Sequence, residues 1–171
     1  MTDPGTAPTA DGPGFRRGVR VAVDVGSVRV GVARSDPDGI LATPVVTIVR
    51  DSAAPDADLA RIADVVAEQH ALEVLVGLPR SLSGRSGPAA RTARAYARRL
   101  AGALDVPVRL VDERLTTVTA HQALHAAGRS SRTHRQVVDQ VAATVILEQA
   151  LETERRTGEP AGELVPGTES T

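Results

Sequence analysis

Apolar residues alternate with other types in "VRVAVDV", 19–25, and again in "RVGVAR", 29–34. That period of two predicts two strands joined by a tight turn at Gly26–Ser27. A third strand is expected in "LATPVVTIV", 41–49. It should begin late or lie at a sheet edge, because Pro44 has no N–H to give a neighbour. The period then lengthens. Leu59, Ile62, Ala63 and Val66 form one helical stripe, expected to run from an N-cap at Asp56 to about His70. "EVLVGLP" is a short continuous apolar run, as in a strand buried on both faces by parallel pairing. After the polar loop "RSLSGRSG", Pro88 fits the first turn of a helix to about Leu104, with Ala93, Tyr96, Ala97 and Leu100 facing inward. "VPVRLVDER" predicts another strand. Thr116 or Thr117 and then Gly128 bracket a helix, and a last one is expected from about His134 to Glu154.

Three β elements followed by α, β, α, β, α, α describe an α/β fold. The expectation is a mixed five-stranded sheet, antiparallel strands first and parallel βαβ units after, with helices on both faces. At 171 residues the chain holds one domain with a sizeable core, placed at 16–151. Residues 1–15, rich in Pro, Gly, Thr and Asp, are expected to be disordered. Residues 152–171 are expected to be a helix end and a disordered acidic tail.

Composition removes several chemistries. All twenty basic residues are arginines, so a P-loop lysine and a Schiff base are excluded. Without cysteine there is no thiol nucleophile, zinc–thiolate site or disulfide. No apolar run approaches the roughly 20 residues that span a bilayer. Nor does the N-terminus resemble a signal peptide, so a cytoplasmic protein without a membrane partner is expected. The net charge of −1 conceals an uneven distribution. Residues 80–135 carry eleven arginines against Asp105, Asp112 and Glu113, which points to a polyanionic partner. With Phe15 and Tyr96 the only aromatics, such a partner would be held by backbone and shape rather than by base stacking.

Three carboxylates stand in apolar surroundings. Asp24 interrupts the first strand, although Asp-x-Gly also closes ordinary turns. Glu113 falls just past the carboxyl end of "VRLV", the edge where α/β sheets bind ligands, or is a surface acid beside Arg114. Asp139 adjoins the stripe Val138, Val141, Ala142, Val145 and Ile146 at its margin, or is an exposed acid beside Arg135. Each lies on a different element. Clustered carboxylates repel, so a persistent cluster implies a cation, and oxygen-only ligands favour Mg²⁺ or Mn²⁺. Two such ions can activate water and stabilise the leaving oxygen of a phosphodiester. Arg91, Arg94 and Arg98 share one helix face, and Arg129 and Arg132 lie in a basic loop; these would hold a nucleic-acid strand. "HQALH", 121–125, has zinc-motif spacing but carries Gln122 where the catalytic glutamate belongs.

The stretches "AVDVGSVRVGVARSD", "LVGLPRSLSGRSGPAA", "VDERLTT" and "VDQVAATVILEQAL" resemble, in order, those of the YqgF (RuvX) family of pre-16S rRNA nucleases and Holliday-junction-resolvase-like proteins. The resemblance covers about residues 19–151 and implies a ribonuclease H-like fold. It transfers a metal-binding catalytic triad onto Asp24, Glu113 and Asp139. It also places Arg29, Arg114 and Thr116 where they contact phosphate or orient ligands. Ser83 stands where many relatives carry an acid, and the nearby turn lacks a lysine common there. The implied function is metal-dependent hydrolysis at the 5′ end of pre-16S rRNA, by a monomer or weak homodimer. The rivals are a nuclease for branched DNA and a non-catalytic nucleic-acid-binding factor in transcription or ribosome assembly.

Overall fold

The computed structural model describes residues 14–80, 87–113 and 131–167, with the backbone alone for 131–136. The expected helix between Thr116 and Gly128, residues 81–86 of the polar loop, and residues 1–13 and 168–171 lie outside the described residues. The expected basic loop "GRSSRT" is described only from Ser131, where the last helix already begins, so Arg132 stands in that helix and not in a loop.

The elements are β1 (Arg20–Val25), β2 (Arg29–Ser35), β3 (Ala42–Val49), α1 (Ala57–Glu68), β4 (Glu73–Leu78), α2 (Pro88–Ala103), β5 (Val108–Asp112), α3 (Ser131–Thr157) and β6 (Glu163–Leu164). They build one mixed sheet in the order β3-β2-β1-β4-β5-β6. β1, β2 and β3 pair antiparallel, whereas β1–β4 and β4–β5 pair parallel. Pro44 sits in the edge strand opposite Ala33, where the register with β2 shifts, so its missing N–H leaves no interior ladder broken.

Alternation assigns the two faces. Val21, Val23, Val30, Val32, Val74 and Val76 pack against Leu59 and Ile62 of α1 and Tyr96 and Leu100 of α2. Ala22, Ala33 and Leu75 face α3 through Ala143, Ile146 and Leu147. The second face is the one built from small side chains, which brings α3 close to the sheet. Its buried stripe is Ala142, Ala143, Ile146, Leu147, Ala150 and Leu151. Of the expected stripe, Ala142 and Ile146 are buried while Val138, Val141 and Val145 are half-buried. The packed line is rotated by about one residue, so Asp139 continues it toward the helix start rather than lying at its margin.

Three further expectations are corrected. The sheet has six strands, not five. α3 ends at Thr157, where Gly158 with a φ of 75° reverses the chain, and residues 158–167 are not disordered: they return to pair β6 with β5. A two-residue strand is too short to leave a periodic signal. Lastly, Asp56 occupies the N-cap of α1 but makes no side-chain cap bond, because its carboxylate accepts from Arg99 Nη2 at 2.6 Å. Phe15 is also ordered, its ring between the guanidinium groups of Arg20 and Arg155 at 4.6 and 4.8 Å.

At the amino ends of the parallel strands lies a buried ionic network. Arg20 Nη2 donates to Glu154 at 2.9 Å and Arg16 Nη2 to Glu73 at 2.8 Å, with Arg109 Nε 3.2 Å from Glu73. Burial pushes the Glu154 carboxyl up, but the bonds from Arg16 and the charges of Arg20 and Arg16 outweigh this and hold it below its usual range. The network anchors the far end of α3, the helix whose near end carries Asp139. Among the described residues, no helix is long and apolar enough to cross a membrane.

Candidate active site

β1, β4 and β5 run parallel, so their carboxyl ends share one edge of the sheet. Asp24 lies near that end of β1, directly across the hairpin from Gly31 of β2. Partners in an antiparallel pair project to the same face, so Asp24 faces α3. Burial raises its carboxyl to about 6, with the Asp139 charge adding to the effect.

Glu113 follows β5, its N–H donating to Leu78 O at 3.1 Å, which fixes it to the end of β4. Only 9% of it is exposed. Burial, then the charges of Asp24 and Asp112, push its carboxyl up to about 8. Gly77 makes the room: a Cβ there would stand 2.6 Å from Glu113 Oε2 and 2.5 Å from Ile146 Cδ1. Asp139 comes in from above on α3. A Cβ on Gly31 would overlap its carbonyl oxygen, so only glycine lets the helix sit this low. Arg29 Nε donates to Asp139 Oδ2 at 2.9 Å.

The three acids therefore lie on one face at one edge, with Asp24 coupled to Asp139 on one side and Glu113 on the other. As they stand, no group of three acidic or histidine side chains among the described residues is drawn together tightly enough to hold a cation. Asp139 is instead turned toward Arg29.

The arginines of α2 divide. Arg91 and Arg98 are exposed, about 10 Å apart along the helix. Arg94 is 3.4 Å from Glu163 of β6 and so is partly neutralised. Arg114, Thr116, Arg129 and the two histidines of "HQALH" lie outside the described residues, as does the side chain of Arg132.

A family model described as "RuvX: Holliday junction resolvase" matches residues 18–153. The chain belongs to the RuvX family. It is 57% identical over 152 residues to a Clavibacter sepedonicus protein named "Putative pre-16S rRNA nuclease", covering 89% of this chain and 94% of that one. A Streptomyces coelicolor protein of the same name is 58% identical over 156 residues, covering 90% and 92%. A Thermobifida fusca protein, also of that name, is 59% identical over 162 residues, covering 90% and 99%. Among solved structures, T. thermophilus RuvC in complex with a Holliday junction substrate matches with a TM-score of 0.50 at 17% identity, covering 83% of this chain and 99% of that one. That likeness is one of fold, and it gives this RuvX chain the ribonuclease H-like architecture its motif order implies.

Sequence reasoning reached the three acids and Arg29 of this candidate site but not its spacing residues. Gly31 and Gly77 were readable in principle, because a glycine inside a strand marks a close backbone approach. Arg50, whose Nη1 donates to Gly26 O at 2.9 Å in the turn after Asp24, gave no signal in sequence.

Proposed function

We propose that this RuvX chain hydrolyses phosphodiester bonds at the 5′ end of pre-16S rRNA in the cytoplasm, with Asp24, Glu113 and Asp139 as its catalytic residues and Mg²⁺ or Mn²⁺ as cofactor. A nuclease is what the family and its relatives' names indicate. The observation that carries the rest is the convergence at the carboxyl edge: half-buried Asp24 and buried Glu113 both hold raised carboxyls, with Asp139 adding to the effect on Asp24 and Asp24 adding to that on Glu113.

The donors suit a hard divalent cation, being all oxygen, all carboxylate and mutually repelling. The cradle suits it as well, since Gly77 and Gly31 keep Cβ atoms out of the space around Glu113 and Asp139. Asp24, Glu113 and Asp139 would hold the ion. A bound cation supplies positive charge where the phosphodiester and water meet. The chain's own residues do the remainder. Arg29 holds Asp139 until its carboxylate is needed. Arg91 and Arg98 attract the nucleic-acid backbone without reading bases. Buried neighbours keep water from screening the carboxylates.

The test is cleavage of a pre-16S leader RNA with Mg²⁺ or Mn²⁺, by the parent and by Asp24→Asn. The family description favours branched DNA as a second reading. Competing the two nucleic acids at matched salt separates the readings, because backbone binding depends steeply on ionic strength.

A further inference from the structure

The turn that follows Asp24 is short and poorly supported from within. Gly26 N–H donates to Arg29 O at 2.8 Å, leaving Ser27 and Val28 at the tip. None of these four residues has a positive φ. The primed two-residue turns, whose twist matches the flanking strands, require one. Packing does not hold the tip either: Ser27 is exposed and Val28 is 56% exposed, beside a cavity of about 370 Å³.

What holds the turn is Arg50, just past β3. Its backbone N–H donates to Val28 O at 2.8 Å and its Nη1 to Gly26 O at 2.9 Å. Its guanidinium is fixed in turn. Nε lies 3.5 Å from Asp58 Oδ2, and Cζ stands 5.1 Å over the Tyr96 ring. Asp58 is buried on α1 and accepts from Tyr96 OH of α2 at 2.9 Å. Burial, then Asp58, push the Tyr96 phenol up, so it stays a donor. A chain of contacts thus runs from α2 through α1 and Arg50 to the turn after Asp24, starting on the sheet face opposite α3.

We propose that Arg50 is a positioning residue of the active site: backed by Asp58 and Tyr96, its guanidinium locks the Gly26–Arg29 turn and thereby sets where Asp24 and Arg29 stand. This rests on the nuclease site proposed above. The residue type fits. A planar fork can donate to Gly26 O, pair with Asp58 and stack on Tyr96 at once, which a lysine ammonium cannot. Arg50 is not an anion site in its own right, because Asp58 already balances its charge.

Arg50→Met, Arg50→Lys and Tyr96→Phe test this by three readouts: steady-state cleavage of a pre-16S leader RNA with Mn²⁺, amide hydrogen exchange, and thermal midpoint. Arg50→Met is expected to lower kcat by about 10- to 100-fold with KM within about twofold, since misplaced reacting groups cost rate more than binding. The Gly26 amide should exchange at least about tenfold faster, while the amide of Val76 in central β4 stays near the parent rate. Arg50→Lys should fall between parent and Arg50→Met, and Tyr96→Phe should shift both readouts in the same direction by less. Unchanged kcat, or an unchanged Gly26 exchange rate, overturns the proposal. So does acceleration spread evenly over Gly26 and Val76, which would mark a general loss of stability. Exchange does not depend on catalysis. A parent that cleaves no RNA overturns the proposed function, and the Gly26 amide alone then decides whether the lock exists.

Discussion

Gly77 lies directly beneath Glu113, so that Glu113 Oε2 is only 2.6 Å from where a Cβ on Gly77 would stand. The other nearby atom, Ile146 Cδ1 at 2.5 Å, is the far end of a flexible side chain. Gly77→Ala should therefore fold, lose about 1–3 kcal/mol, and lose activity because Glu113 is displaced. At Gly31 the obstacle is the Asp139 backbone itself, which cannot swing away. Gly31→Ala should lose more stability than Gly77→Ala in urea denaturation run side by side.

Asp24 and Glu113 should make the metal-free protein less stable as pH rises from about 5 to 8, above the range in which the lowered carboxyls of Glu154 and Asp36 act with the opposite sign. The folded Asp24 and Glu113 keep their protons to about 6 and about 8, above ordinary carboxyl values, so the folded state binds more protons across that window. Thermal midpoints in a chelator should fall over this range. Asp24→Asn or Glu113→Gln should flatten the slope, and Mn²⁺ should offset it in the parent by favouring the ionised forms.

The distal ionic network makes a separate claim on stability. Glu154→Ala leaves Arg20, 1% exposed, facing Glu73 at 3.7 Å without its closer partner. Removing one member of a buried charge network costs about 3–5 kcal/mol. Urea denaturation measures it, and Glu152→Ala, whose side chain is mostly exposed, should cost far less.

The two exposed α2 arginines should act through charge alone. Arg98→Ala is expected to weaken RNA binding about equally for unrelated sequences and to reduce the slope of log affinity against log salt by about 1. Arg94→Ala should reduce that slope less, because Glu163 already neutralises part of its charge.

Alternation exposed the first two strands because one face takes valines and the other small residues, and the helical period exposed α1 and α2 because each buries one stripe. Asp24 stood out for the same reason, as a carboxylate in a strand whose neighbours are valines. The facing of α3 departs from the expected stripe only in part: Ala142 and Ile146 are buried as expected, whereas Val138, Val141 and Val145 are half-buried and Ala143 and Leu147 pack against the sheet in their place. β6 escaped because Glu163 and Leu164 are both exposed and pair through backbone alone. Arg50 was invisible for another reason. Its partners Gly26, Asp58 and Tyr96 are spread over seventy residues, and only the folded sheet brings them together.

The most direct test of the acidic site is single-turnover cleavage of a pre-16S leader RNA by the parent and by Asp24→Asn, with Mn²⁺ present and thermal midpoints matched. Cleavage by the parent and a loss of at least about a hundredfold in Asp24→Asn is the expected result. Asp24→Asn cleaving at the parent's rate would contradict it.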